Sequence, residues 1–492
     1  MLQTLKNAWN TKDIRSKILF TLFILFLYRI GTVIPVPFVD ANNEQLNAMF
    51  NGTILQYMNA LSGGSMGAMT LFALGVQPYI NASIILQLLA VVFPKLGELG
   101  KTDKDKMNFI TRIVTVALAV VTAIGYYFLL KNGDGTTSFL TYRAAEGNMA
   151  WFYAIVIIVC YTAGASLVMW LAERINERGI GNGISMILFA NIVAAVPSFV
   201  INLVTLVIDT YSYPENTWVY ALVTTLFAVV LVAFLLALIA FVIYVTGSER
   251  RIPVQYAKKV VGRKMYGGQS THLPIKLNMT GVMPIIFASS IVSFVPTILQ
   301  ILETAGAYKS DSGWAKFADI IGANGAIYPI MLFILIIAFA YFYTQITFDP
   351  IEVANNLKKN GGAIPGIRQG RPTADHIRKI LNKITLAGAL FLGVIAILPT
   401  VLGPHVFQHL FEWIYEGSIP SEYIYNFGTA EYIYTGSGLV EKVSYISGQA
   451  SNLTSVFSFG GTTLLIVVGV AIELFRELEA QLTMRNYKGF LN

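Results

Sequence analysis

Long uncharged apolar runs recur along this chain, separated by short segments that hold nearly all of its charge. Span-length runs cover Ile113 to Leu130, Trp151 to Leu171, Ile184 to Val207 and Val219 to Val245. Four more follow, at Val282 to Ile301, Ile327 to Ile346, Ile384 to Val401 and Val456 to Ile472. A helix that crosses the hydrocarbon core of a bilayer needs roughly 20 apolar residues. Each run therefore predicts a membrane span. Ile18 to Pro35 predicts the first span, because it is long and lacks the small-residue cleavage site of a removable signal peptide.

The stretch from Ile54 to Pro94 is different. It holds no charge, yet it is too long for one span, and Ser62-Gly63-Gly64-Ser65 breaks it in the middle. Two spans, or a half-inserted segment followed by one span, would both fit. The loop charges decide. Loops on the cytoplasmic side carry excess Lys and Arg. With a single crossing, one side of the membrane collects 28 of the 34 basic residues and the other side 5, with Arg29 inside a span. With two crossings the alternation breaks after residue 94. The stretch thus crosses once, and about Ile54 to Met69 enters without crossing. This predicts ten spans with both termini cytoplasmic. Backbone at membrane depth that does not span must be buried in protein or line a cavity, so the bundle is expected to enclose a pore or vestibule.

Composition agrees: 55% of residues are hydrophobic and 12% charged, against roughly 25% charged in a soluble domain. The expected fold is an all-α polytopic membrane protein, with residues 1–17 and 473–492 as cytoplasmic ends. A lone cysteine, Cys160, allows no disulfide within the chain.

The chemistry that the spans lack is informative. Coupled transporters and proton relays use intramembrane Asp, Glu, His or Lys. The spans here hold one formal charge, Arg29, which either bonds buried carbonyls to fix packing or acts in gating. The four histidines, His272, His376, His405 and His409, lie in loops. His405 and His409 have a metal-like i,i+4 spacing but no further ligands nearby. No phosphate-binding loop occurs. These absences argue against an intramembrane enzyme, a nucleotide hydrolase, a coupled transporter and an insertase with a charged half-groove. No metal or cofactor is expected.

Two basic loops stand out. Residues 247–281 hold Arg250, Arg251, Lys258, Lys259, Arg263, Lys264 and Lys276. Residues 347–383 hold Lys358, Lys359, Arg368, Arg371, Arg378, Lys379 and Lys383. Their charge exceeds what orients a span. Basic groups among aromatic residues suit phosphate backbones and acidic protein surfaces.

Several segments resemble the bacterial SecY family, the channel subunits of the general protein translocase. They are Leu74-Gly75-Val76-Gln77-Pro78-Tyr79-Ile80-Asn81, Glu177-Arg178-Gly179-Ile180-Gly181-Asn182-Gly183, Gln269-Ser270-Thr271-His272-Leu273-Pro274, Phe348-Asp349-Pro350, Gly460-Gly461-Thr462-Thr463 and Arg485-Asn486-Tyr487-Lys488-Gly489-Phe490. The resemblance covers the chain except about 403–455. It implies two five-span halves, 18–207 and 219–472, related by pseudo-symmetry around an hourglass pore. It places Ile80, Ile84, Ile184, Leu188, Ile286 and Ile466 in a ring at the waist. It makes Ala60, Leu61, Ser62, Gly63, Gly64, Ser65, Met66 and Gly67 part of a helical plug below that ring. Gln87 and Ser290 would lie at a lateral gate between the second and seventh spans, through which signal sequences and nascent spans reach the lipid bilayer. The resemblance further implies SecE and SecG as small membrane subunits. It has the SecA motor or the ribosome dock on Arg250, Arg251, Lys258, Lys259, Arg263, Lys264, Lys358, Lys359, Arg368 and Arg371, and it places the protein in a bacterial plasma membrane. Two features depart from the family. Gln369 stands where Gly-Ile-Arg-Pro-Gly is usual, and residues 403–455 replace a short outer connection with either an ordered cap or a flexible insertion.

Overall fold

The computed structural model describes residues 2–40, 54–133, 138–141, 149–212, 218–256, 259–261, 264–266, 270–304, 327–402, 423–426, 431–434 and 461–488, with Gly313, Phe317 and Ile320. Every predicted span is a helix. After α1 (Leu2–Asn10) come α2 (Lys12–Gly31), α3 (Ile54–Leu61), α4 (Gln77–Val92), α5 (Pro94–Thr102), α6 (Lys104–Asn132) and α7 (Ala150–Arg178). They are followed by α8 (Gly183–Ser212), α9 (Trp218–Gly247), α10 (Met283–Thr304), α11 (Ile327–Thr347), α12 (Pro350–Lys359), α13 (Arg371–Leu402) and α14 (Gly461–Lys488).

Six of these helices, α6, α7, α8, α9, α11 and α13, are long and apolar enough to cross a membrane by themselves. The other four predicted spans fall short for identifiable reasons. In α2 the apolar part begins only at Ile18, and in α14 it ends at Ile472, so each helix shares its length with a charged end. The apolar part of α10 is short, Met283–Leu299. α4 stops at a 119° bend into α5. Phe93 at that bend is extended (φ −107°, ψ 102°), as the residue before a proline is bound to be. Helix α9 shows what solvates the bundle. It is apolar all round and leaves Val229, Val230, Leu236 and Phe241 exposed, a surface that lipid tolerates and water does not.

α4, α6 and α7 pack in sequence, as do α10, α11 and α13. The two groups meet along two seams. On one, α8 touches α9 and α14. On the other, α10 touches α4 and α6. Helix α3 is wedged between α8 and α10, so the non-crossing segment is buried in the bundle and does not lie on its surface.

The basic loops fold as more than loops. β1 (Glu249–Tyr256) pairs antiparallel with β4 (Ser270–Lys276) and with β5 (Gly362–Ala363), and β2 (Lys259–Val261) pairs with β3 (Lys264–Tyr266). Ile252 and Val254 point inward from β1 while Arg251, Pro253 and Gln255 face out, the two-residue period of a half-buried strand. Ile275, Ile364, Ile377 and Leu381 complete a small core beneath this sheet. In the outer insertion, β6 (Tyr423–Asn426) and β7 (Glu431–Tyr434) form an antiparallel ladder. The rest of 403–455 lies outside the described residues.

Candidate functional site

The six predicted ring residues all lie in or against one large apolar core. Ile80 and Ile84 on α4, Leu188 on α8, Ile286 on α10 and Ile466 on α14 are at most 2% exposed and belong to one apolar cluster. Ile184, at the start of α8, is half-buried and packs against it. Four helices distant in sequence thus contribute branched side chains to one buried apolar core. Leu61, the last residue of α3, is part of the same cluster.

The predicted plug is only partly helical. Ala60 and Leu61 end α3, whereas Ser62, Gly63, Gly64, Ser65, Met66 and Gly67 form successive turns. Gly63 and Gly64 have positive φ, +69° and +83°, so a helix cannot continue through them. These turns use their own side chains to bond main-chain groups, as backbone at membrane depth requires, although Ser65 Oγ is buried without a partner among the described residues. Asn59 Oδ1 accepts from Gly67 N at 2.8 Å, Ser62 Oγ accepts from Met66 N at 3.2 Å, and Thr70 Oγ1 donates to Ser65 O at 3.1 Å. The segment that follows these turns is pinned at Gly164 of α7. A Cβ there would stand 1.9 Å from the Leu71 carbonyl oxygen.

The bundle holds this segment through side chains donating to its main chain. Asn191 Nδ2 on α8 donates to Leu61 O at 2.8 Å and to Tyr28 Oη at 2.9 Å. Tyr126 Oη donates to Met66 O. Arg29 Nη1 approaches Gly63 O at 3.5 Å, which supports the carbonyl-bonding reading of this arginine. Thr297 Oγ1 on α10 donates to Met58 Sδ on α3 at 3.2 Å.

At the predicted gate, α4 and α10 are in contact. Ser290 is buried and lines an apolar cavity of about 320 Å³ with Met58, Gln77, Asn81, Thr122 and Thr297. Gln87 accepts a hydrogen bond from Tyr343 Oη on α11. It also lines a cavity of about 1110 Å³ that opens between the α4–α5 bend and α11 to α13, with Glu98, Asp349 and Arg378.

The two basic segments form one unit through the β1–β5 pairing. Arg250, Lys358, Lys359, Arg368 and Arg371 are exposed on it. Arg251 is also exposed but pairs with Glu249 at 2.7 Å. Lys259 lies on β2 and Lys264 on β3, while Lys258 and Arg263 fall outside the described residues. Gln369 is not a gap in the loop: its Nε2 donates to Gly362 O at 3.1 Å. Where α14 reaches this face, Arg476 bonds the Thr246 carbonyl at 3.0 Å. Burial pushes the Lys276 ammonium below its usual range, helped by Arg476 and opposed by Glu249 and Glu479. Burial also pushes the Glu473 carboxyl up, helped by Glu477 and opposed by Arg476.

Asn191, Tyr126, Tyr343 and Thr297 were not singled out by sequence reasoning. For Asn191 a cue existed, since an amide in an otherwise apolar span needs a partner.

This arrangement has known counterparts. The SecY family profile matches residues 70–419. The protein translocase subunits SecY of Mycobacterium bovis and of Streptomyces coelicolor are each 39% identical to this chain, with 100% of both sequences covered. The chain belongs to the SecY family. SecY membership carries an activity: the chain is a protein-conducting channel of a translocase and not an enzyme. Solved structures share the SecY fold at low identity. A protein-conducting channel aligns with TM-score 0.55 and 16% identity over 95% of this chain and 92% of its own. A SecY whose plug domain stabilises the closed state of the translocation channel and maintains a membrane seal aligns with TM-score 0.57, 16% identity and the same coverage. Canine Sec61 in a ribosome–channel complex aligns with TM-score 0.52 and 15% identity over 95% and 92%.

Proposed function

We propose that Ile80, Ile84, Ile184, Leu188, Ile286 and Ile466 form the seal of the translocation pore, and that residues 60–67 are its plug. One observation carries this reading: five of the ring side chains and Leu61 are buried in a single apolar cluster built from separate helices, and Ile184 packs against it. A constriction of branched apolar side chains excludes water and ions by dewetting. It also deforms around a polypeptide of any sequence, since it offers no hydrogen bond that one sequence would satisfy better than another. The SecY relative with a sealing plug supports the same role for residues 60–67 here.

The seam between α4 and α10, with Gln87 and Ser290, is the lateral gate. Its cavity is apolar, so a hydrophobic segment leaves the pore for lipid at a gain of a few tenths of a kcal/mol per Leu or Ile. The exposed basic groups Arg250, Lys358, Lys359, Arg368 and Arg371 dock the SecA motor or the ribosome, and the ribosome-bound Sec61 relative supports the second. SecE and SecG brace the helices from outside. The basic face and both termini are cytoplasmic, in the plasma membrane. The test is transport of a secretory precursor into vesicles that contain the purified translocase, given SecA and ATP. Transport that needs the chain is expected; a precursor that stays outside contradicts the reading.

A further inference from the structure

Asn191 stands one turn beyond the ring residue Leu188 on α8 and is fully buried. Its orientation is determined by its partners. The Leu61 carbonyl can only accept, so the group 2.8 Å from it is the amide nitrogen. Both protons of that nitrogen are used, one on Leu61 O and one on Tyr28 Oη. The other end of the amide is orphaned: Oδ1 is buried and has no hydrogen-bond partner among the described residues. A buried unpaired acceptor is costly and calls for an explanation.

Gly63 supplies one. A Cβ on Gly63 would lie 2.9 Å from Asn191 Oδ1 and 3.2 Å from Arg29 Nη1. Gly63 therefore lies against both an acceptor without a donor and the one cation of the spans, which here reaches only the Gly63 carbonyl at 3.5 Å. Remove the segment, and the two groups that complement each other face across the space it filled.

We propose that Asn191 is the latch that holds the plug closed, and that Arg29 takes its orphan oxygen when the plug leaves. The proposal rests on residues 60–67 being the plug. In the closed state the amide proton holds Leu61 O. In the open state the guanidinium proton holds Asn191 Oδ1. The polar cost of releasing the plug is thus partly offset within the bundle. Because the latch grips a main-chain carbonyl, plug side chains can vary without loss of the grip. Gly63 is required twice, for its positive φ and for the missing Cβ.

The test uses the full translocase in vesicles and reads ion leak and the transport of a precursor with a defective signal. Asn191→Leu should raise both on the order of tenfold, as loss of a buried hydrogen bond without a replacement donor implies, toward the level of a channel lacking residues 60–67. Asn191→Ala should do the same. Gly63→Ala, which presses on the latch from the plug side, should also leak, and it carries the test if the Asn191 variants do not accumulate. Arg29→Gln, which gives up only the long contact to the Gly63 carbonyl at 3.5 Å, should slow transport of normal precursor severalfold and leak far less than Asn191→Leu. If the deletion leaks but the Asn191 and Gly63 variants seal, the latch is overturned and the plug reading stands. If the deletion seals too, both fail. An Arg29→Gln channel that leaks like Asn191→Leu overturns the replacement step.

Discussion

Tyr343 on α11 donates its hydroxyl to the side-chain oxygen of Gln87 on α4, a bond between residues 256 positions apart. It ties the second helix group to the first beside the seam where α4 meets α10. Under the proposed gate assignment, a clasp in that place favours the closed state. Tyr343→Phe removes the donor and leaves the ring, which should cost the closed state about 1 kcal/mol, roughly a fivefold shift toward opening. Precursors with weakened signals should then be transported more readily, and unchanged stringency would show that the bond plays no part in gating.

Ile286 and Ile466 are each buried in the ring cluster. Replacing either by Asn places an amide where no partner waits, at a cost of about 1–3 kcal/mol to the sealed state. Both variants should admit precursors with defective signals. If stringency stays at the parental level in both, the ring assignment is wrong.

Gln369 holds the loop of Arg368 by its bond to Gly362 O, and Thr373 Oγ1 adds a second tie at 2.8 Å to the Arg368 carbonyl. A hydrogen bond here does what the fixed φ of proline does in the family's usual sequence. Gln369→Ala should speed limited proteolysis between 366 and 370 severalfold, whereas Arg368→Glu should leave proteolysis unchanged and abolish motor-driven transport. Equal proteolysis of Gln369→Ala and the parent would remove the clamp from the account.

Glu473 has a raised pKa, through burial and then Glu477. The sign follows from linkage: an acid favoured in its neutral form stabilises the fold below its ordinary range, and this contribution is lost as pH rises through the folded value. Glu473→Gln, which is always neutral, should therefore melt higher than the parent at pH 8. That advantage should disappear below about pH 4, where both carry a neutral group. An advantage independent of pH would point to packing and not to charge.

Much of this was legible in the chain itself. Apolar run length gave the ten helices, because lipid forces each crossing segment to satisfy its backbone internally. The charge tally predicts that 54–94 crosses once, and the structure packs α3 between α8 and α10. Other features were illegible for physical reasons. Ile184 and Leu188 are branched apolar residues like the exposed Val229 and Val230, so periodicity cannot separate a pore from a lipid face. The Gln87–Tyr343 and Asn191–Leu61 pairs depend on tertiary packing between distant helices. The strand β1 was readable but missed: Ile252 and Val254 alternate with exposed neighbours over a segment read as a loop. The helical plug was an over-reading, since Gly63-Gly64 already marks where a helix stops.

The most direct test is a crosslinking measurement on a translocating chain stalled midway through the channel. Photoreactive groups at Ile84 and Ile286 should both capture that chain, while one at Val230, exposed on α9, should capture lipid. A stalled chain that reaches Val230 and neither Ile84 nor Ile286 would contradict a path through the ring.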